Sequence, residues 1–137
     1  MRTNDIKDPR IIAVSERVIQ AARETFKDKL DKVYLFGSYA RGDYDNESDI
    51  DFLIIADTSH EEACAKHNEI RDKMPGIDLE FDILVSCCVT SSNMFNKYID
   101  SLPFYVNVVN EGVNISGKND RYRGNPARRT GSILIRR

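Results

Sequence analysis

Two short apolar segments, joined by a polar, turn-forming stretch, constrain the fold of this chain more than any other feature of its sequence. Residues 32–36 are rich in β-forming side chains and stop at a Gly-Ser pair. Residues 49–56 begin with Asp-Ile-Asp and continue almost unbroken through apolar side chains. Such a run is typical of a buried strand rather than an exposed edge strand. The pattern predicts two adjacent strands connected through residues 41–48.

The rest of the first 117 residues predicts helices around a small sheet. The further elements expected are helices over 11–29, from Ser59 to about Lys73, from 90 or 91 to 99 and over 103–110, and a third strand over 78–86. The Pro75-Gly76 pair is expected to end the second of these helices. The sequence therefore predicts an α/β (α+β) fold with a small mixed β-sheet flanked by helices.

Length and charge divide the chain into one domain and a tail. The 137 residues suffice for a single hydrophobic core. Residues 118–137 hold seven Lys or Arg and one acid, and predict a basic, flexible C-terminal tail. Residues 1–117 carry 13 basic and 21 acidic side chains, a net charge of −8. An acidic domain of this kind argues against sequence-specific binding of nucleic acid.

The same sequence argues against a membrane or secreted protein. No apolar run approaches the length of a transmembrane helix, and the polar N-terminus does not resemble a signal peptide. The three cysteines are an odd number and include no C-x-x-C pair. A disulfide framework is therefore not expected, and we expect a protein of the reducing cytoplasm.

The Gly-Ser pair after the first strand has the properties of a phosphate-binding turn. Gly37 lacks a Cβ atom, so that a bulky anion can approach the backbone there. Ser38 is expected to open a short helix, whose free N–H groups and dipole favour phosphate. Its hydroxyl adds one more donor. The turn is therefore a candidate cradle for a nucleotide.

Two carboxylates open the second strand on one face. Asp49 and Asp51 are two residues apart, so both side chains leave the same side of the strand. Neighbouring carboxylates repel each other unless a cation neutralises them. Oxygen ligands of this type suit Mg²⁺ or Mn²⁺, which also bind nucleotide phosphates. A phosphate cradle that faces an acid pair indicates phosphoryl or nucleotidyl transfer.

A third acid is expected from the strand predicted over 78–86. Asp78, Glu80 and Asp82 alternate there with apolar residues, so any of the three could complete the site. Asp82 is preferred, because it precedes a purely apolar run and would lie deepest in the sheet. Glu80 remains an alternative, whereas Asp78 lies close to the predicted turn and is expected to be solvated.

The order of these motifs resembles a known signature. Gly37-Ser38, ten further residues and Asp49-x-Asp51 are similar to the signature of the DNA polymerase β-type nucleotidyltransferase superfamily. The surrounding Gly-Ser-Tyr-Ala-Arg-Gly and Ser-Asp-Ile-Asp-Phe-Leu-Ile resemble its minimal nucleotidyltransferase (MNT) branch. The resemblance extends over residues 11–115 and implies the polymerase β-type nucleotidyltransferase fold.

The resemblance implies roles for the site residues. Asp49 and Asp51 would bind two Mg²⁺ ions, with Asp82 as the third catalytic and metal-binding carboxylate. Residues 37 and 38 would hold the triphosphate of ATP or another NTP, and Arg41 would lie near the nucleotide and offset its charge. An acceptor hydroxyl would then attack the α-phosphate and release pyrophosphate.

The resemblance also implies a partner. Larger members add a helical domain that helps to hold the acceptor, whereas only about 20 residues follow residue 117 here. The acceptor would therefore come from another chain or a dimer mate. Minimal members are commonly paired with a helical HEPN protein in toxin–antitoxin modules, where the MNT antitoxin can transfer AMP to a tyrosine of the toxin. Two alternatives stay open: an antitoxin that acts by binding alone, and transfer to a small molecule such as an aminoglycoside.

Overall fold

A computed structural model describes residues 8–45 and 49–116 of the chain. The tail predicted over 118–137 lies outside these residues. In chain order the elements are α1 (Pro9–Phe26), a 3₁₀ turn (Lys27–Lys29), β1 (Leu30–Phe36), α2 (Ser38–Arg41), β2 (Ile50–Ala56), α3 (His60–Phe81), β3 (Val85–Ser91), α4 (Ser92–Tyr98), α5 (Pro103–Glu111) and β4 (Val113–Asn114).

The four strands form one mixed sheet in the order β3-β2-β1-β4. Strand β1 runs antiparallel to both β2 and β4, whereas β2 and β3 are parallel. Helix α3 provides the long crossover that a parallel pair requires. The predicted fold class, a small mixed sheet flanked by helices, is confirmed.

Side chains of β2 alternate between two apolar clusters, one on each face of the sheet. Ile50 and Phe52 pack in a cluster with residues of α1 and α3. Leu53 and Ile55 pack on the other face, in a cluster with residues of α4 and α5. Burial on both faces explains the nearly continuous apolar run of this strand. By the same alternation, Asp51 lies on the face that α4 and α5 cover.

The helix expected over 11–29 is confirmed in position, and its start has a clear physical cause. The carboxylate of Asp8 accepts a hydrogen bond from the backbone N–H of Arg10 at 2.9 Å, and Pro9 occupies the first helical position. Both features favour a helix N-terminus. The α-helix ends at Phe26, and the 3₁₀ turn continues it to Lys29.

Helix α3 is longer than expected. The prediction that Pro75-Gly76 ends it is wrong, because α3 continues to Phe81. Its inner side carries apolar residues at helical spacing: Ile70, Met74, Ile77 and Phe81. Their burial stabilises the helix through the proline. Pro75 itself lies on the exposed side, where water can bond the carbonyl of Arg71 that loses its helical partner.

The strand predicted over 78–86 is consequently wrong in most of its length. Asp78 and Glu80 lie in the last turn of α3, and β3 begins only after them. Asp82 is the C-cap of α3, with a left-handed backbone (φ 53°). Leu79 is 86% exposed, which contradicts an inward-facing alternation. The three acids therefore do not share one face of a strand.

The two helices expected near the C-terminal end of the domain are confirmed. The hydroxyl of Ser91 caps α4 by accepting the backbone N–H of Met94 at 3.1 Å. Helix α5 begins at Pro103, a position that proline favours. Within residues 8–45 and 49–116, no helix is long and apolar enough to cross a membrane.

Candidate functional site

The candidate site forms where β1 ends beside the beginning of β2. Phe36, the last residue of β1, lies directly opposite Asp51 of β2. Gly37 follows with φ 80° and ψ −158°, a conformation that is essentially restricted to glycine. A Cβ atom on Gly37 would lie only 2.6 Å from Oδ2 of Asp51. The backbone of Gly37 therefore lies in direct contact with the carboxylate of Asp51, and a side chain at position 37 would prevent this contact.

Helix α2 presents backbone donors beside this turn. The carbonyl of Gly37 accepts the N–H groups of Ala40 at 3.1 Å and Arg41 at 3.0 Å. The N–H groups of Ser38 and Tyr39 precede this pattern, as the first N–H groups of a helix do. The short helix expected to open at Ser38 is thus confirmed. Donors of this kind can bind the oxygens of a phosphate.

Asp49 and Asp51 form an acid pair that is close enough for each charge to affect the other. Asp49 is exposed, whereas Asp51 is half-buried. Burial raises the pKa of Asp51 above its ordinary value, and the negative charge of Asp49 raises this pKa further. The positive charge of Arg41 lowers it. The structure therefore places these two acids, Gly37 and Arg41 in one region of the surface.

Arg41 is held at the edge of the site by two acids. Its Nε donates to Oδ2 of Asp43 at 3.2 Å, and its Nη1 donates to Oε1 of Glu111 at 3.3 Å. These carboxylates raise the pKa of Arg41, chiefly through the hydrogen bond to Asp43. The pairing with Glu111, at the end of α5, could not be expected from positions 70 residues apart in the sequence. Contact between Arg41 and a nucleotide stays a prediction.

Two of the acids considered as third ligands have structural partners instead. The carboxylate of Asp78 accepts the backbone N–H of Val85 at 2.9 Å, which ties the end of α3 to the start of β3. Glu80 forms an exposed ion pair with Arg17 of α1. Both carboxylates therefore contact neighbouring backbone or helix rather than the Asp49–Asp51 pair.

Asp82 is fixed through its backbone. Its carbonyl accepts a hydrogen bond from Nη2 of Arg10 at 2.6 Å, while the residue as a whole is exposed. Asp82 does not lie deep in a strand, contrary to the expectation from the apolar run after it, because it precedes β3. Its role as the third carboxylate stays a prediction that depends on the sequence resemblance.

Strand β3 places other residues beside the acid pair. Ser86 is the partner of Asp51 in the parallel register, and Cys88 is the partner of Leu53. Cys88 packs on the same face as Leu53, and both burial and the charge of Asp51 raise the pKa of its thiol. Sequence reasoning missed Ser86 because it began the strand too early. The β-branched Val89-Thr90 was the available signal for a later strand.

The acid pair fits a divalent cation. Magnesium is often held by one or two carboxylates, and substrate phosphates and water complete its coordination. Asp49 and Asp51 meet this requirement, and a bound cation would offset both the burial and the like charge of Asp49 that raise the pKa of Asp51. Within the described part of the chain, no group of three or more His, Cys, Asp or Glu side chains is arranged to hold a metal.

Comparison with known proteins gives a family match and two archaeal relatives. The family model described as "Nucleotidyltransferase domain" matches residues 15–112. A candidate protein adenylyltransferase of Methanocaldococcus jannaschii is 35% identical over 94 residues, which are 69% of this chain and 86% of the relative. A second protein of the same description and organism is 42% identical over 80 residues, 58% of this chain and 78% of the relative.

Solved structures give weaker likenesses. The crystal structure of a candidate nucleotidyltransferase from Sulfolobus solfataricus is 21% identical, with a TM-score of 0.46 over 77% of this chain and 78% of that chain. A structure of an AMPylated Shewanella oneidensis HEPN toxin in complex with MNT antitoxin is 19% identical, with a TM-score of 0.37 over 75% of this chain and 70% of that chain. Neither likeness is close enough to transfer a function.

Proposed function

Because the chain belongs to the nucleotidyltransferase domain family, we propose that it transfers AMP from ATP to a hydroxyl group of a protein. The family match confirms the prediction of a nucleotidyltransferase. The description of its two archaeal relatives as candidate protein adenylyltransferases supports the choice of AMP and of a protein acceptor. The observation that carries the proposal is the half-buried carboxylate of Asp51, which lies against the backbone of Gly37 and within the electrostatic influence of Asp49.

The turn after β1 is proposed to hold the triphosphate. Gly37 allows close approach of an anion to the backbone, and the N–H groups of Ser38 and Tyr39 can donate to phosphate oxygens. The Ser38 hydroxyl adds a donor. Arg41 is already oriented by its two carboxylate partners, so its charge can offset that of the phosphates with little further ordering.

Asp49 and Asp51 are proposed to bind two Mg²⁺ ions. Mn²⁺ accepts the same oxygen ligands and could take their place. Magnesium supplies neutralisation of the charge that develops on the transferring phosphoryl group. Asp51 is held by β2 with its carboxylate against Gly37, beside the proposed phosphate site, and Asp49 immediately precedes the strand. We propose Asp82 as the third carboxylate of the site.

The reaction is a displacement at the α-phosphorus of ATP. The acceptor oxygen forms a bond to this phosphorus, the bond to the bridging oxygen of the β-phosphate breaks, and pyrophosphate leaves. The hydroxyl proton must depart as the new bond forms, and a carboxylate within hydrogen-bond reach of the acceptor can accept it. The products are an AMP ester of the acceptor and pyrophosphate.

The acceptor is proposed to be a tyrosine of a separate HEPN-type toxin, so that the chain acts as an antitoxin in the cytoplasm. The sequence resemblance to minimal nucleotidyltransferases supports this partner. The net charge of −8 over residues 1–117 favours a partner with a basic docking surface. The two proteins would then form a hetero-oligomer, at least during transfer.

An isotope experiment tests the proposal. The full chain is incubated with Mg²⁺, a HEPN-type protein from the same organism, and ATP labelled on either the α- or the γ-phosphate. Adenylyl transfer puts α-label, and no γ-label, on the partner, with one AMP mass added per modified tyrosine. The same reaction with EDTA or with the Asp49→Ala variant should leave the partner unlabelled.

Three outcomes would contradict the proposal. Transfer of γ-label would mean kinase chemistry. Silencing of the partner without any change in its mass, with Asp49→Ala equally effective, would mean that the chain acts by binding alone. Rapid release of pyrophosphate with an aminoglycoside, and none with the protein partner, would mean that the acceptor is a small molecule.

A further inference from the structure

We propose that Phe104, in the first turn of α5, is the surface on which the base of the bound nucleotide stacks. The inference rests on the proposed function, because it concerns the nucleotide held at the acid pair. It assigns a binding role to a residue outside the Gly-Ser and Asp-x-Asp segments. The class of ligand is a nucleoside triphosphate with any aromatic base.

Phe104 is connected to the acid pair through one residue, Phe36, which contacts it directly. Phe36 is the direct cross-strand partner of Asp51, and such partners have Cβ atoms about 5 Å apart on the same face. The ring of Phe104 meets that of Phe36 edge to face, with centroids 5.3 Å apart. Phe36 also precedes Gly37, the start of the proposed phosphate cradle. A nucleotide anchored there has Phe104 within reach of its base.

Phe104 keeps a large part of its ring accessible. It is 41% exposed, although it contacts both Phe36 and Tyr105. Leu102, at the cap of the same helix, is 42% exposed. An exposed phenylalanine loses apolar burial unless something covers it, and a nucleobase offers a flat aromatic partner.

The position of the Phe104 ring is fixed before any ligand binds. Its neighbour Tyr105 is buried, and the Tyr105 hydroxyl bonds that of Thr90 on β3 at 2.9 Å. Tyr105 in turn packs edge to face on Phe95 of α4. This anchoring, with the contact to Phe36, holds the first turn of α5 against the sheet. A prearranged ring binds a base with little loss of side-chain entropy.

The two tyrosines near the turn are already engaged. Tyr39 and Tyr44 stack on each other with centroids 4.1 Å apart and planes at 15°. Tyr39 is only 6% exposed. Tyr44 is 40% exposed, but one face of its ring is covered by Tyr39 and its hydroxyl donates to a carboxylate oxygen of Asp8 at 3.2 Å. This pair therefore forms part of the packing between α2 and the start of α1. Phe104 is the better platform for a base.

A phenylalanine has no hydrogen-bonding group to distinguish one base from another. Stacking on an aromatic side chain tolerates every base, because each has a π-face. The inference therefore predicts that this residue strengthens the binding of ATP and GTP by similar factors. It leaves the binding of the base-free analogue, inorganic tripolyphosphate, unchanged.

The test measures dissociation constants of ATP, GTP and tripolyphosphate with Mg²⁺ for the full chain and its variants. Phe104→Ala should weaken ATP and GTP roughly tenfold to a hundredfold, the range that stacking contributes, and should leave tripolyphosphate within twofold. Phe104→Trp keeps an aromatic face and should retain tight binding. Leu102→Ala removes an equally exposed apolar side chain of the same helix and is the matched control.

Each result supports or overturns the inference. Equal weakening of ATP and tripolyphosphate would show that Phe104 supports only the fold. Unchanged ATP binding would remove Phe104 from the nucleotide site, and a loss confined to Tyr44→Ala would move the base to that tyrosine. Failure of the proposed function is distinguishable, because the wild-type chain would then put no α-label on the protein partner, whatever the Phe104 variants do to the binding of ATP.

Discussion

Two acidic segments of this chain look alike in sequence and differ in structure. Asp49-x-Asp51 and Asp78-x-Glu80-x-Asp82 both alternate acids with apolar residues. In the first, burial and a like charge raise the pKa of Asp51, and Arg41 only partly offsets the effect. In the second, Asp78 bonds the backbone of β3 and Glu80 pairs with Arg17. The acids of the second segment that stabilise the fold have partners within it, whereas the two acids proposed to bind a cation repel each other.

The largest expected effect is on the acid pair itself. Asp49→Ala or Asp51→Ala should lower the rate of transfer by about a hundredfold or more, because each removes a proposed metal ligand. Glu80→Gln, a change of one acid in the other segment, should stay within about twofold of wild type. The measurement is the initial rate of α-label transfer at saturating ATP. A similar loss of transfer rate in all three variants would mean that the two acidic segments do not differ in function.

Asp82 lies in the second acidic segment of the sequence, but it is proposed to act together with Asp49 and Asp51 of the first. Asp82→Asn keeps the size of the side chain and removes its charge. It should reduce the rate about a hundredfold if this carboxylate binds metal or accepts the proton. The thermal midpoint should change little, since the contact to Arg10 uses the backbone carbonyl. A rate close to wild type would leave the site with two carboxylates only.

The contact between Gly37 and Asp51 gives a third test, with Gly42 as its control. Both glycines have positive φ, 80° and 88°, but only at Gly37 would a Cβ atom collide with the carboxylate. Gly37→Ala should destabilise the protein by about 1–3 kcal/mol and reduce transfer at least tenfold. Gly42→Ala should cost about 1–2 kcal/mol and leave transfer within twofold. Equal losses of transfer would mean that backbone strain alone is responsible.

The first segment could be recognised from sequence because its structure is local. Gly37, Ser38, Asp49 and Asp51 lie within 15 residues of the chain, so a turn and the alternation of one strand are enough to group them. Their environment confirms the grouping through the register of β1 and β2. No distant element has to be placed correctly for this part of the prediction to hold.

The second segment was misassigned because its structure depends on distant contacts. Over five residues, alternation of acids and apolar residues fits a strand as well as the end of a helix. Burial of Met74 and Ile77 against the sheet decides the question, and it carries α3 past Pro75. Ser86, the neighbour of Asp51 on β3, and the contact of Phe104 with Phe36 depend on that same placement of elements and could not be predicted.

The acid pair also predicts a particular dependence of stability on pH. The raised pKa of Asp51 means that its charged form is disfavoured in the folded protein. Without metal, the stability from this group is therefore present below its ordinary pKa of about 4 and is lost as pH rises through the raised pKa. Relative to wild type, Asp51→Ala should be most stable at neutral pH and lose this advantage in acid.

Thermal denaturation with and without Mg²⁺, in the presence of a non-hydrolysable ATP analogue, tests the central claim most directly. At neutral pH without metal, Asp51→Ala should be no less stable than wild type, and it should gain little stability when Mg²⁺ is added. Asp78→Ala should lose about 1–3 kcal/mol through the unsatisfied N–H of Val85, yet gain from Mg²⁺ as wild type does. Destabilisation of the metal-free Asp51→Ala protein, or loss of the Mg²⁺ effect in Asp78→Ala, would contradict the division between a cation-binding and a structural set of acids.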